Sequence, residues 1–184
     1  GNAMKKWRFL GIDDSFDDRK CCVVGCVTCG GYVEGFLYTE IDIDGLDATD
    51  KLISMVRRSK FREQIKCIFL PGITLGGFNL VDIQRVYRET KIPVVVVMRR
   101  KPDMEEFDSA MRNLENYELR RKIVEVAGEI HRIGDIYIQT AGLTPSEAEK
   151  LVKASLIKGN MPEPVRISHL VASAIIHGES RGKA

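Results

Sequence analysis

No apolar run in this 184-residue sequence approaches the roughly 18 residues of a membrane-spanning helix. The longest, Ile92 to Met98, has the length of a strand, and no membrane partner is expected. The N-terminus lacks the basic-then-apolar pattern of a signal peptide, so a cytoplasmic location is expected. Gly1-Asn2-Ala3 before Met4 reads as an expression scar. Low-complexity segments, internal repeats and linkers are missing as well. At about 100–200 residues per domain, that predicts a single domain over residues 4–184. There is also little excess of charge of one sign: 28 Lys and Arg against 26 Asp and Glu leave +2. This excludes a non-specific polycation coat and leaves room for a local basic groove. A composition 44% hydrophobic and 29% charged excludes a disordered chain. A chain of this length buries about 70% of its unfolded surface and needs no disulfide or metal staple. The five cysteines (Cys21, Cys22, Cys26, Cys29 and Cys67) are an odd set with four crowded together. Without an export signal they are expected as reduced thiols.

Trp7 to Asp13 is a short apolar run ending on acid, the pattern of a buried strand. Lys20 to Thr28 reads as a second strand, Gly30-Gly31 as a hairpin signal, and Tyr32 to Ile43 as a third strand. Asp47 or Thr49 can cap a helix running to about Ser59. Cys67 to Leu70 is a short buried strand, followed by a glycine-rich loop from Gly72 to Phe78. Asn79 can cap a helix through Tyr87. The next strand, Pro93 to Met98, carries four consecutive valines, as expected when both faces are covered. Asp103 to Ala127 reads as helical with a break near Asn116. Residues 130–133 and 135–139 suit a strand pair around Gly134. Thr144-Pro145-Ser146-Glu147 starts a helix to about Lys158, with Thr144 as cap and Glu147 three residues on. A last helix covers roughly Val165 to His177. Short turns make the first three strands antiparallel, and helical connections make the next two parallel. The expected fold is therefore α/β: a mixed five-stranded sheet with helices on both faces, the outline of a ribonuclease H-like fold.

Gly11-Ile12-Asp13-Asp14-Ser15 is the strongest chemical feature. A carboxylate at the end of a central buried strand is costly unless a metal or another cation compensates it. Magnesium binds through one or two carboxylates and takes substrate phosphates as further ligands. Paired ions can clamp both oxygens of an in-line phosphodiester displacement. Asp13 supplies one acid, and Asp44 and Asp47, after the third strand, are placed to supply another. Asp-Asp-Ser is equally a turn composition. The calcium-loop look of residues 42–47 fails on its missing glycine and glutamate. The Cys26/Cys29 pair has no second pair to complete a zinc site. The Gly72–Asn79 loop, with Gly72, Thr74 and Asn79, can bring backbone N–H groups to a phosphate but matches no nucleotide-binding fingerprint. Of the basic clusters, Arg57 to Arg62 and Arg120-Arg121-Lys122 suit solvated faces. Arg99 and Arg100 directly follow the fifth strand, on the sheet edge of Asp13, and suit a nucleic-acid phosphate. His169 is read as structural or lid-forming. Actin-like sugar kinases share a Gly-Ile-Asp phosphate loop but need two lobes, and this chain holds one.

Several strings together resemble the archaeal endonuclease dU family, a relative of endonuclease V. They are Gly11-Ile12-Asp13-Asp14-Ser15, Asp44-Gly45-Leu46-Asp47-Ala48-Thr49, Gly72-Ile73-Thr74 with Gly77-Phe78-Asn79-Leu80-Val81-Asp82, Pro162 to His169, and Gly178-Glu179-Ser180-Arg181-Gly182. The resemblance spans about residues 6 to 182. It implies a ribonuclease H-like fold, magnesium or manganese held by carboxylates, and nicking of nucleic acid near a deaminated base. Asp13 matches the first-strand metal ligand. The acid after the third strand falls on Asp44 or Asp47, with Asp82 as a substitute. A further aspartate of endonuclease V is replaced here by Pro71. The histidine of its later active-site helix falls near Gly142, where none stands. Its lysine after the fifth strand falls near Arg99 or Arg100. The implied activity is a metal-dependent endonuclease on DNA, or alternatively RNA, containing deoxyuridine or another deaminated base. Phe78 or Phe36 is a candidate wedge. The departures at Pro71 and Gly142 motivate an alternative: a non-catalytic nucleic-acid-binding member of the family.

Overall fold

In a computed structural model, residues 6–184 are described, and residues 1–3, read above as an expression scar, lie outside them. Period-2 alternation in the first strand separates two cores. In β1 (Arg8–Phe16), Leu10 and Ile12 point to one face and Phe9 to the other. A hairpin leads to β2 (Cys21–Cys29) and another to β3 (Tyr32–Ile41), all antiparallel. After α1 (Ala48–Arg57), β4 (Ile65–Leu70) lies parallel to β1. The glycine-rich segment forms a small hairpin of β5 (Thr74–Leu75) and β6 (Asn79–Leu80). Then come α2 (Ile83–Thr90) and β7 (Val94–Met98), which pairs parallel with β4. Two helices follow, α3 (Met104–Met111) and α4 (Tyr117–Val126), and Asn116 in the left-handed region (φ 58°) makes the expected break between them. The chain finishes with β8 (His131–Ile133), β9 (Ile136–Ala141), α5 (Pro145–Ser155) and α6 (Glu163–His177).

The main sheet has seven strands, in the order β3-β2-β1-β4-β7-β9-β8, and so exceeds the expected five. The added pair is the β8/β9 hairpin, and β9 runs antiparallel along all of β7. Without β9, the valine strand would leave a row of unpaired N–H and C=O groups at a buried edge. Helices α1 to α4 cover one face, burying Leu52, Ile53, Ile83, Val86 and Met111 against it. Helices α5 and α6 cover the other with Leu151, Val152, Val165 and Ala172. No helix among the described residues is long and apolar enough to cross a membrane.

Local chemistry sets the helix ends. The reciprocal Thr144/Glu147 capping box forms as expected, with Pro145 in the first turn, and α5 stops at Ser155 rather than near Lys158. Asp82, not Asn79, caps α2, its carboxylate accepting from the Arg85 N–H at 3.0 Å. Asn79 lies three residues upstream in β6 and is fully buried. The last helix starts at Glu163 and lies directly on β1. A Cβ at Gly11 would sit 2.3 Å from the Val165 nitrogen and 2.4 Å from the Pro164 carbonyl carbon. The Ser168 hydroxyl donates to the Gly11 carbonyl at 2.8 Å. Gly11 thus permits a backbone approach that no larger residue allows. Gly11→Ala is expected to destabilise the protein by about 1–3 kcal/mol or more, because the obstruction is backbone that cannot rotate away. Denaturant unfolding measures this, and a midpoint equal to wild type would contradict the close approach.

Candidate active site

Burial makes Asp13 the centre of the site. It sits near the C-terminal end of β1 and is only 6% exposed. Its Oδ1 accepts from the Asp14 N–H at 2.8 Å, and its Oδ2 lies 3.1 Å from Nδ1 of His169 on α6. The other ring nitrogen, Nε2, is 2.7 Å from the Arg181 carbonyl oxygen. A carbonyl only accepts, and so does an ionised carboxylate. Both ring nitrogens therefore carry protons when Asp13 is ionised, and the imidazolium is the compensating charge. The hydrogen bond to Asp13 raises the His169 pKa above its ordinary value, against the opposing effect of burial. A histidine thus stands at the acid, and it comes from the last helix, whereas Gly142 is simply the left-handed residue after β9.

Asp14 follows on β1, and its side chain reaches the glycine-rich hairpin. Its Oδ2 accepts from the Gly76 N–H at 2.8 Å, and the Cys21 thiol lies 3.7 Å away. Burial, and then the neighbouring charge of Asp13, push its pKa up to about 6. Burial also raises the Cys21 thiol, so it stays protonated and inert. All five cysteines are free thiols. Asp13, Asp14, Pro71 and His169 line an open cleft of about 330 Å³.

The other expected ligands are engaged in a loop clasp. Asp44 adopts a left-handed conformation (φ 55°), its N–H donates to the Gly76 carbonyl at 2.8 Å, and its Oδ1 accepts from the Phe78 N–H at 2.8 Å. Oδ1 of Asp47 accepts from the Asn79 amide at 2.7 Å and from the Asp42 N–H at 3.1 Å. The Asn79 Oδ1 in turn accepts from Ala48 N–H, at the start of α1. Beneath them Arg120 is only 3% exposed. Its guanidinium donates to the carbonyls of Asp44 (2.7 Å), Glu115 (2.8 Å), Gly45 and Phe78. The Arg120-Arg121-Lys122 run is therefore a solvated face only in part. Asp82, the third alternative, is occupied as the α2 cap.

Gly76 joins the two groups, taking Asp14 on its N–H and Asp44 on its carbonyl. Even so, among the described residues no three His, Cys, Asp or Glu side chains stand close enough to share a metal ion. The oxygens of Asp13 and Asp14 fit a hard divalent ion that relies on few protein ligands, and they do not fit a tetrahedral zinc site.

Arg99 is partly buried at the end of β7, donates to the Ala184 carbonyl oxygen and lies 3.3 Å from the Asn160 side chain, whereas Arg100 is exposed. Gly72 and Thr74 line a second, more enclosed cavity of about 220 Å³, with Met98, Phe107 and Gln139, and Pro71 borders both spaces. Phe78 packs edge-on against Phe107, at 5.2 Å between ring centroids. Phe36 is half exposed on the edge strand β3.

Comparison with known proteins agrees with this architecture. The profile of the family described as endonuclease dU matches residues 5–176. A UPF0215 protein of Methanosarcina barkeri is 49% identical over 183 residues, covering 96% of this chain and 94% of that protein. One from Methanopyrus kandleri is 41% identical over 187 residues, covering 96% and 95%. Among solved structures, human ENDOV superposes with a TM-score of 0.62 at 16% identity, covering 94% of this chain and 85% of that one. Ciona intestinalis endonuclease V, bound to a 23mer DNA containing an inosine, gives a TM-score of 0.58 at 12% identity, covering 91% and 84%. The fold is that of endonuclease V, a ribonuclease H-like fold.

The two shifted groups set a pH dependence for the metal-free protein. Both have folded pKa values above their unfolded ones, so each contributes stability at low pH that is lost as pH rises. Asp14 acts between about pH 4 and 6, and His169 above its ordinary 6.5. Thermal melts are expected to show stability falling across both windows. Asp14→Asn, which keeps an acceptor for Gly76, should abolish the lower fall only. An unchanged profile would contradict the raised Asp14.

Proposed function

The chain belongs to the endonuclease dU family, and we propose that it is a divalent-metal-dependent endonuclease cutting DNA that carries deoxyuridine or another deaminated base. The observation that carries this reading is the buried Asp13 carboxylate at the end of a central strand, opening with Asp14 into one cleft. Asp13 and Asp14 would hold a magnesium or manganese ion through those oxygens. Bound there, such an ion would supply a water of lowered pKa and charge stabilisation for the leaving oxygen.

The chain's own residues do the rest. Asp13 and Asp14 bind the ion. His169 orients Asp13 and holds a proton at Nδ1, within reach of groups in the cleft. Arg99, with Arg100 outside it, positions a phosphate of the strand. Asp44, Asp47 and Asn79 act through the clasp, which holds Gly76 against Asp14, while Gly72 and Thr74 line the second cavity. That cavity is the place for an extruded base, with apolar walls at Met98 and Phe107 and polar groups at Thr74 and Gln139. A damaged base unstacks at lower cost, which favours its selection.

One observation favours a second reading. Pro71 stands on the cleft wall where the resemblance to endonuclease V implies an acid, and no third ligand is gathered among the described residues. A family member that binds nucleic acid without cutting it would fit that donor set.

A nicking assay separates the readings. With magnesium or manganese, the wild type is expected to nick duplex DNA containing a single deoxyuridine. Asp13→Asn should lower the rate by more than about 100-fold, beyond the 10–100-fold typical of outer-shell partners. Its circular dichroism should remain native. Equal rates for mutant and wild type would overturn the assignment of Asp13. Salt-sensitive binding with no product under either metal would favour the second reading.

A further inference from the structure

Of the string Gly178 to Gly182, only the Arg181 carbonyl enters the site described above, on His169 Nε2. We propose that residues 179–184 form a strap that lies along one wall of the acidic cleft in the free protein, occupying His169 and Arg99, and leaves when a divalent ion and substrate bind. This rests on the metal reading above.

Gly178 ends α6 in the left-handed conformation (φ 83°) and turns the chain back along the helix. The strap is then fastened by polar contacts. The Ser180 hydroxyl donates to the Leu170 carbonyl at 2.6 Å, and the Arg181 N–H donates to the Ser173 hydroxyl at 2.8 Å. These place the Arg181 carbonyl on His169 Nε2 at 2.7 Å. Further along, Lys183 and Ala184 form part of the wall of the cleft that holds Asp13 and Asp14. The Ala184 carbonyl oxygen accepts from the Arg99 guanidinium.

The strap therefore occupies three functional groups at once. It holds the far side of the histidine paired with Asp13, it takes the arginine placed for a substrate phosphate, and it sets a lysine in the wall of a cleft suited to cations. A phosphate strand and the strap cannot both hold Arg99 through the same donors. Residues 178–183 are exposed and have no regular secondary structure, and hydrogen bonds do most of the fastening. A segment held this way detaches without disturbing a core. Because α6 is already capped at Gly178, it does not need the strap to end.

Manganese binding measured by electron paramagnetic resonance tests the proposal without any nuclease assay. The full chain is compared with the full-length double variant Ser173→Ala/Ser180→Ala and with a chain ending at Gly178. All are checked for a native melt. When a competing closed state is removed, apparent affinity rises by the inverse of the open fraction. Both altered proteins are expected to bind manganese about tenfold more tightly than the full chain, and Asp13→Asn in the shortened chain should abolish the gain. Equal or weaker binding in both would overturn the strap while leaving the metal reading intact. No manganese bound by any of them would contradict the metal reading itself, and with it a strap that gates the metal.

Discussion

A carboxylate withdrawn from water at the end of a central strand needs positive charge nearby, and the organisation around Asp13 follows from that need. In the free protein the charge comes from His169, 156 positions along the chain and 3.1 Å away. The pair exists because α6 presses its first turn onto β1, and it can do so because residue 11 has no side chain. One glycine thus links the fold to the site. A helix standing farther off would leave Asp13 without its partner, and a buried unpaired charge is among the costlier defects a fold can carry.

The remaining acids divide by role. Asp14 shares the cleft, and burial, with the neighbouring charge of Asp13, raises its pKa to about 6. Asp44 and Asp47 give their oxygens to backbone and amide N–H groups, and Arg120 neutralises the carbonyl ends of the same turns from below. A guanidinium buried among carbonyls fastens two loops that no secondary structure connects. The result is a rigid rim beside the cleft, with Gly76 as the shared contact between the rim and Asp14.

Much of the fold is legible in the residues. The apolar runs, the Gly30-Gly31 turn and the valine strand identify five of the seven strands, β3-β2-β1-β4-β7, and their directions. The Thr144 capping box and the Asn116 break are local chemistry and appear as expected. The sheet's two outer strands are seen as a pair but not as part of it, because pairing with β7 is a tertiary choice. Less of the site is legible. Asp13 is marked by its place at the end of an apolar run. His169 carries no local sign of its partner, and Arg120 sits in a run of three cations whose burial only the packed structure decides. Asn79 has the type and position of a helix cap, but the cap falls three residues later, because its amide is drawn into the Asp42–Asp47 turn.

The proposed chemistry needs a hard divalent ion resting against Asp13. Anomalous diffraction from a crystal soaked in manganese measures this directly. A peak is predicted within bonding distance of an Asp13 oxygen, on the cleft side shared with Asp14, with the His169 contact loosened or replaced. A cleft without a peak at manganese concentrations that saturate other sites, or a peak held by Asp44 and Asp47 away from Asp13, would contradict it.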